Sequence, residues 1–404
     1  MRICKRSTTW YEIPTGVDNK LNTIDFPSIN VGYIGGNDTL LLKTTDGGEN
    51  WSEIDFAGVT VFPGGEDILD INFVDDNIGY LTVGPYGGTF KTSDGGFNWA
   101  PLATMGSCYN QTNFFFAEDD GFIGGSGCFT AEEIEIVSSG PAAFAMLETD
   151  FTGGSNIITQ IDFLDSDFGM ASSSGGQIFR TTDGGVNWDT IPSSLHDSIP
   201  ITSMNIIDDT LAYAGYDANG GGFGILMSTD AGLTWAEDMN SATFYYPAFY
   251  EVVQSNHQRT YVAAVPSGGS ATGGLIFEDN GTFWNYWDVD QPVYAMETYS
   301  DSVVWAVGDS GYVVVNVLPS MLSIEQEVTN ENFEIYPNPF ESIVNLDLDG
   351  FVNPTLMIFD AQVRIVEQKV ISTSQQDLSF LEKGIYVFVL TDGESKRMTR
   401  VIKH

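Results

Sequence analysis

Basic residues are scarce in this chain: 15 Lys and Arg stand against 55 Asp and Glu in 404 residues, a formal net charge of −40. The shortage is uneven. Residues 1–320 hold 8 cations and 42 acids, a balance of −34, and residues 321–404 hold 7 and 13, a balance of −6. A body so poor in cations cannot neutralise phosphates by counter-ion release, which argues against nucleic acid and anionic membrane as partners and leaves cations, neutral sugars and proteins. Cysteine is rarer still. Cys4, Cys108 and Cys128 show no metal-ligand spacing. Cys108 and Cys128 share one segment and suit a disulfide in an oxidising compartment, or else are two buried free thiols. No run approaches the ~20 apolar residues of a membrane span, so the chain is not expected to be membrane-spanning. The start, "MRICKRSTTW", is basic but has no apolar segment after it, so no signal peptide is visible.

Present in abundance are 44 Gly, 27 Phe, 17 Tyr and 8 Trp, a composition of turns and strands rather than helices. "KTTDGGENW" at 43–51 returns as "KTSDGGFNW" at 91–99, "RTTDGGVNW" at 180–188 and, loosened, "MSTDAGLTW" at 227–235; "FEDNGTFW" at 277–284 is a weaker echo. The marks Asp46, Asp94, Asp183, Asp230 and Asp279 are spaced 48, 89, 47 and 49 residues apart. The double interval predicts one unit whose mark has eroded, over residues 111–144, with Phe144 where the others have Trp. Ahead of each mark stand three short alternating strands, and a fourth opens at the Trp, which is the pattern of a propeller blade. The last unit, residues 292–317, has three strands only. "TTWYEI" at 8–13 is a Trp-led strand with no three before it, so it is expected to complete that unit and leave no open edge. The fold class is therefore all-β: a seven-bladed β-propeller closed by the N-terminal strand over residues 1–318, a linker at 319–332, and a small β-sandwich over 333–404.

Within the repeat the recurrent residues are Asp46, Gly48 and Trp51; Asp94, Gly96 and Trp99; Asp183, Gly185 and Trp188; Asp230, Gly232 and Trp235; and Asp279, Gly281 and Trp284. A carboxylate at a hairpin accepts its own turn's N–H groups, Gly allows positive φ, and Trp packs between sheets. Repetition around a ring fits a structural fastener, since a catalytic role would require several separated active sites. The units resemble the Asp-box of bacterial neuraminidase-type repeats, and "VGYIGG…LLLKTTDGGENW" at 31–51 resembles a blade of the photosystem II stability and assembly factor family, also seven-bladed propellers. That resemblance implies that the boxes lie opposite the usual binding face.

Sialidases grip a carboxylate with three arginines. Here residues 1–320 hold Arg2, Arg6, Arg180 and Arg259, and Arg180 precedes a box, so the triad cannot be assembled. His196 and His257 are isolated. A non-sialidase glycosidase using two carboxylates stays open, because 42 acids always supply some pair. The expected binding face carries Asp38, Tyr86, Tyr216, Asp217 and Asp309 in turns and His196, Tyr245 and Tyr246 in connectors, where aromatic rings beside carboxylates suit a glycan or a surface protein. No cofactor is implied. Acidic loops permit Ca²⁺, without ligand spacing that specifies it. A monomer is expected.

The C-terminal stretch has alternating runs and turn signals. It resembles the type A sorting domain of the type IX secretion system of Bacteroidetes, through Tyr336, Pro337, Asn338, Pro339 and Phe340, through Gly384 and Tyr386, and through a basic end at 396–403. The resemblance implies that the type IX machinery is a partner, that the chain reaches the outer surface or the medium, that a leader precedes Met1 or has been trimmed, and that the Cys108–Cys128 disulfide is favoured.

Overall fold

In the computed structural model, residues 3–403 are described except for short gaps and the longer stretches 6–9, 55–65, 103–106, 128–131, 138–143, 149–155, 192–198, 218–222, 241–246, 267–272, 280–283, 318–334, 360–364 and 392–395. The chain divides into two compact units, Met1–Pro319 and Ser320–His404.

Among the described residues, the first unit holds seven sheets. Their innermost strands, in blade order one to seven, are Leu21–Asp25, Asp67–Phe73, Ser107–Ala117, Ile158–Phe163, Ile201–Ile206, Pro247–Asn256 and Val293–Tyr299. Each packs on the next and the seventh packs on the first, so the sheets form a closed ring. Within a blade the strands run antiparallel in sequence order. Blade seven takes its fourth strand from the N-terminus, with Tyr11 opposite Val315 and Glu12 opposite Val314. A further strand, Ile3–Lys5, lies parallel to Trp284–Tyr286 on the outer edge of blade six; its three residues carry too little pattern to be predicted.

In blades one, two and four the second strand is covered on both faces. Gly32–Gly36, Gly79–Gly84 and Gly169–Ser173 are buried throughout. Such strands carry no in–out alternation and tolerate little bulk. A Cβ at Gly32, Gly79 or Gly169 would lie 2.5, 2.4 or 2.4 Å from the ring of Phe26, Phe73 or Phe163, which ends the strand alongside. Those phenylalanines also join blades. Phe73 stacks on Tyr33 of blade one at 3.6 Å with Trp99 edge-on, Phe163 stacks on Phe122 of blade three at 4.4 Å with Trp188 edge-on, and Phe26 stacks on Trp305 of blade seven at 5.2 Å with Trp51 edge-on. The edge-on tryptophans align the ring quadrupoles favourably, so they add directional preference to apolar burial.

The second unit has a three-stranded sheet, Ile335–Tyr336, Ile343–Leu346 and Gln375–Asp377, and a four-stranded sheet in the order Ile365–Val370, Thr355–Phe359, Gly384–Thr391, Lys396–Lys403. Phe340, Val344, Leu356, Phe388, Leu390 and Val401 are buried in one shared core.

Candidate functional site

The four clear DGG-type turns have one geometry. In blade one, Asp46 Oδ1 accepts from Thr44 Oγ1 (2.8 Å) and Asn50 N (2.9 Å), while Oδ2 accepts from Asn50 Nδ2 (2.8 Å). Thr44 Oγ1 in turn accepts from Gly48 N at 2.9 Å. Asp94, Asp183 and Asp230 repeat these contacts with Asn98, Asn187 and Thr234. At Asp183 and Asp230 the hydrogen bonds from Asn187 and Thr234 hold the carboxyls below their ordinary range; at Asp46 and Asp94 burial works against this but is outweighed by Asn50 and Asn98. Both oxygens of each carboxylate are engaged in their own turn, a poor starting point for acid–base work on a ligand. Asp279 and Trp284 lie in strands whose side chains fall outside the described residues, as does all of Gly281.

Two of these turns are also bonded by a cation of the preceding blade. Lys43 Nζ of blade one donates to Gly95 O of blade two at 2.9 Å, and Arg180 Nε of blade four donates to Ala231 O of blade five at 2.7 Å. Lys91 of blade two faces blade three, the unit with the eroded mark. There it meets Asp119 at 2.7 Å and Glu118 at 2.9 Å instead, and Tyr80 Oη accepts from Asp119 N at 2.7 Å. This contact replaces the missing turn carbonyl. Because both carboxylates are half-exposed, Lys91→Met is expected to cost about 0.5–1 kcal/mol in urea unfolding, and less in high salt.

Lining the ring is a polar cavity of ≈ 360 Å³, bordered by residues of six innermost strands. Its carboxyls also bridge blades. Asp25 Oδ2 accepts from Phe73 N of blade two (2.6 Å), Asp70 Oδ2 from Asn113 N of blade three (2.7 Å), and Asp162 Oδ2 from Ile206 N of blade five (2.6 Å). Asn72 does the same with its amide oxygen, accepting from Phe115 N at 2.9 Å. Burial pushes Asp25 up to about 7, helped by the Asp70 charge and opposed by the Phe73 N–H. Burial pushes Asp70 and Asp162 to about 6, and Glu297 of blade seven to about 8 with help from Asp25 and Asp162. None of these was among the sequence candidates. The available signal was the recurrence "TIDF", "DINF", "QIDF", which sets Asp25, Asn72 and Asp162 in register.

At the rim, Asp38 and Asp309 sit in matching 3₁₀ turns between the second and third strands of blades one and seven, with Asp38 itself at φ 59° and Ser310 at φ 57°. Asp309 Oδ2 accepts from Tyr294 Oη at 3.0 Å, and Lys20 Nζ lies 3.8 Å from the centre of the Tyr294 ring. Lys20 and Tyr294 also border the cavity, so rim and channel are continuous. Tyr216 must be withdrawn from the binding face: it is 5 % exposed, packs in the core between blades four and five, and donates to Glu237 Oε1 at 2.8 Å. Its strand is buried on both faces, so nothing in the local sequence distinguishes rim from core. Asp217, next to it, is half-buried and donates its backbone N–H to Pro200 O. Tyr86, His196, Tyr245, Tyr246 and Cys128, and the side chain of Cys108, fall outside the described residues. No cluster of three or more His, Cys, Asp or Glu among the described residues is placed to hold a metal ion, and no helix there is long and apolar enough to cross a membrane.

In the second unit Phe340 is buried edge-on against Phe388 and bridges Lys403, whose Nζ lies 5.2 Å from the Phe340 ring centre. Tyr386 is buried in the same core. The early motif, the late strand and the basic end therefore meet in one place. Tyr336, by contrast, is 60 % exposed, with a cis bond to Pro337; Asn338 follows it, and Pro339 lies outside the described residues.

Residues 334–404 match the family model of the secretion system C-terminal sorting domain, and the sorting tail expected from the sequence is present. No curated protein matches the chain by sequence. Among solved structures, YCF48 from Cyanidioschyzon merolae is similar at TM-score 0.60 and 20% identity over 77% of this chain and 99% of its own. YCF48 bound to D1 peptide is similar at 0.58 and 17%, over 78% and 99%. PorZ, a bacterial surface component of the type-IX secretion system of Porphyromonas gingivalis, is similar at 0.54 and 12%, over 96% of this chain and 60% of PorZ. At these identities the likeness establishes the fold alone, a β-propeller; the sorting domain rests on the family match.

Proposed function

We propose that this is a binding module, delivered to the cell surface or the medium by type IX secretion, that engages a glycan or a surface protein on the rim around Lys20, Tyr294 and Asp309. The observation that carries the reading is the sorting domain at residues 334–404, joined to a ring whose turn carboxylates are engaged in their own hairpins and so favour a structural role for the DGG turns. Lys20 and Tyr294 together offer a cation and an aromatic ring, a combination that suits recognition more than bond cleavage. PorZ, a surface component of the type-IX secretion system, is similar in fold, which supports a surface location, and YCF48 is similar in fold and binds D1 peptide, which supports a module that binds. The competing reading, a hydrolase with a carboxylate pair, draws on Glu297 of the channel, whose carboxyl is raised by burial with help from the Asp25 charge.

Removing residues 334–404 is expected to leave the propeller inside the cell in a type IX-competent host, as read by immunoblot of cell, surface and medium fractions. Phe340→Ala is expected to do the same, since emptying a buried Phe site costs about 3–5 kcal/mol in a small domain. Undiminished export of the truncated chain would remove the basis of the proposal.

A further inference from the structure

The seam between blades two and three departs from the repeat at one buried place. Register puts Leu21 and Ile24, Ile68 and Ile71, Ile158 and Ile161, Ile201 and Met204, and Val293 and Met296 at equivalent positions of their innermost strands. In blade three the same positions hold Asn110 and Asn113. Their neighbours across the seam change too. Where blade one presents Leu41 to Ile68 and Ile71, blade two presents Thr89, paired with Thr82. Thr82, Thr89, Asn110 and Asn113 are 0, 1, 3 and 4 % exposed.

Asn110 Nδ2 donates to Thr89 Oγ1 and Asn113 Nδ2 to Thr82 Oγ1, each at 3.0 Å, and the two hydroxyl oxygens are 3.4 Å apart. Neither amide oxygen, Asn110 Oδ1 or Asn113 Oδ1, accepts a hydrogen bond from the protein. One hydroxyl proton serves the Thr–Thr contact, and the other is uncommitted. The unmatched groups are thus two carbonyl acceptors, one hydroxyl donor and the second N–H of each amide, in a buried setting where unmet polar atoms are heavily penalised.

We infer that this seam is a binding site for one ordered water molecule. A water donates two protons, one to each carbonyl oxygen, and accepts the free hydroxyl proton, making the three bonds usual for internal water. A metal cation fits less well, because none of the four side chains is a carboxylate and the free hydroxyl proton would still lack an acceptor. The site thus places a hydrated contact where the innermost strands of blades one, two, four, five and seven carry aliphatic or methionine side chains, at the same junction that lacks a DGG turn.

A crystal structure of the full chain at a resolution that shows ordered solvent tests this directly. The expected result is one solvent peak at hydrogen-bond distance from Asn110 Oδ1 and Asn113 Oδ1 and from one threonine hydroxyl. Two results overturn it: both carbonyls bonded to protein donors with no peak between them, or a peak at the shorter contacts of about 2.3–2.6 Å that mark a coordinated Ca²⁺ ion. In solution, side-chain amides of ¹⁵N-labelled Asn110 and Asn113 should show cross-relaxation with a long-lived water. Absence of the cross-peaks from the native chain also overturns the inference.

Discussion

Asp25→Asn raises the melting temperature of the full chain at pH 8 by about 5 °C or more and leaves it nearly unchanged at pH 4.5. The expectation follows from the raised carboxyls of the channel. Asp25 moves from 3.8 to about 7 on folding, so between those values the folded state binds more protons than the unfolded one. Stability contributed this way is fully present below about pH 4, falls as pH rises, and is gone above about pH 7. Such a displacement corresponds to ~4 kcal/mol, and a few kcal/mol is worth several degrees in a domain of this size. Asp70, Asp162 and Glu297 carry the same sign, although their coupling prevents simple addition. The turn carboxylates Asp46, Asp94, Asp183 and Asp230 are lowered instead, so their contribution is present at neutral pH and lost as pH falls below about 4. Native stability is therefore expected to peak near pH 4–5 and decline towards pH 8. Asparagine keeps the acceptor that Phe73 N needs, as Asn72 does for Phe115 N, and has no charge to desolvate. A melting curve series from pH 4 to pH 9 on both proteins decides it; a wild-type protein that gains stability up to pH 8 would sink the channel account.

The second large effect is a ranking of glycine-to-alanine substitutions at positions that share positive φ. A Cβ at Gly48 would sit 2.3 Å from Trp305, and at Gly185 2.4 Å from Phe122, both rings wedged between blades. At Gly232 the obstacle is the flexible Met170 thioether at 2.6 Å, and at Gly88 no atom lies within 4 Å. The left-handed backbone costs about 1 kcal/mol at all four, and overpacking against a fixed ring adds roughly 1–3 kcal/mol. Gly48→Ala and Gly185→Ala should each cost about 3–4 kcal/mol in denaturant unfolding, Gly232→Ala less, and Gly88→Ala about 1 kcal/mol. Equal losses at Gly48 and Gly88 would show that the turns matter for backbone conformation alone and do not pin one blade to the last.

Much of this architecture could be read from the chain because the repeat is local. Thr44, Asp46, Gly48 and Trp51 stand at fixed offsets, each doing its work within one hairpin and its neighbour, and their recurrence gave the blade spacing. "TTWYEI" was legible as a strand without a sheet, and Tyr11–Glu12 does complete blade seven. What could not be read depends on the ring. Asp25 looks like an ordinary polar residue facing out of its strand until the next blade brings the Phe73 N–H to it. Tyr216 reads as a turn aromatic because it stands near the end of a strand, yet it is buried between its own blade and blade four. Lys43, Lys91 and Arg180 did carry a signal, standing in one register three residues ahead of Asp46, Asp94 and Asp183, but their partners lie on the following blade.

The most direct test of the whole account is to expose the purified full chain to an immobilised panel of polysaccharides and surface proteins, and to assay reducing-sugar release from every polysaccharide tested. The account predicts retention that weakens in Lys20→Ala and Tyr294→Ala and persists in Asp25→Asn, with no sugar released. Sugar release that Glu297→Gln or Asp25→Asn abolishes would contradict it, and would make the channel carboxyls a catalytic pair.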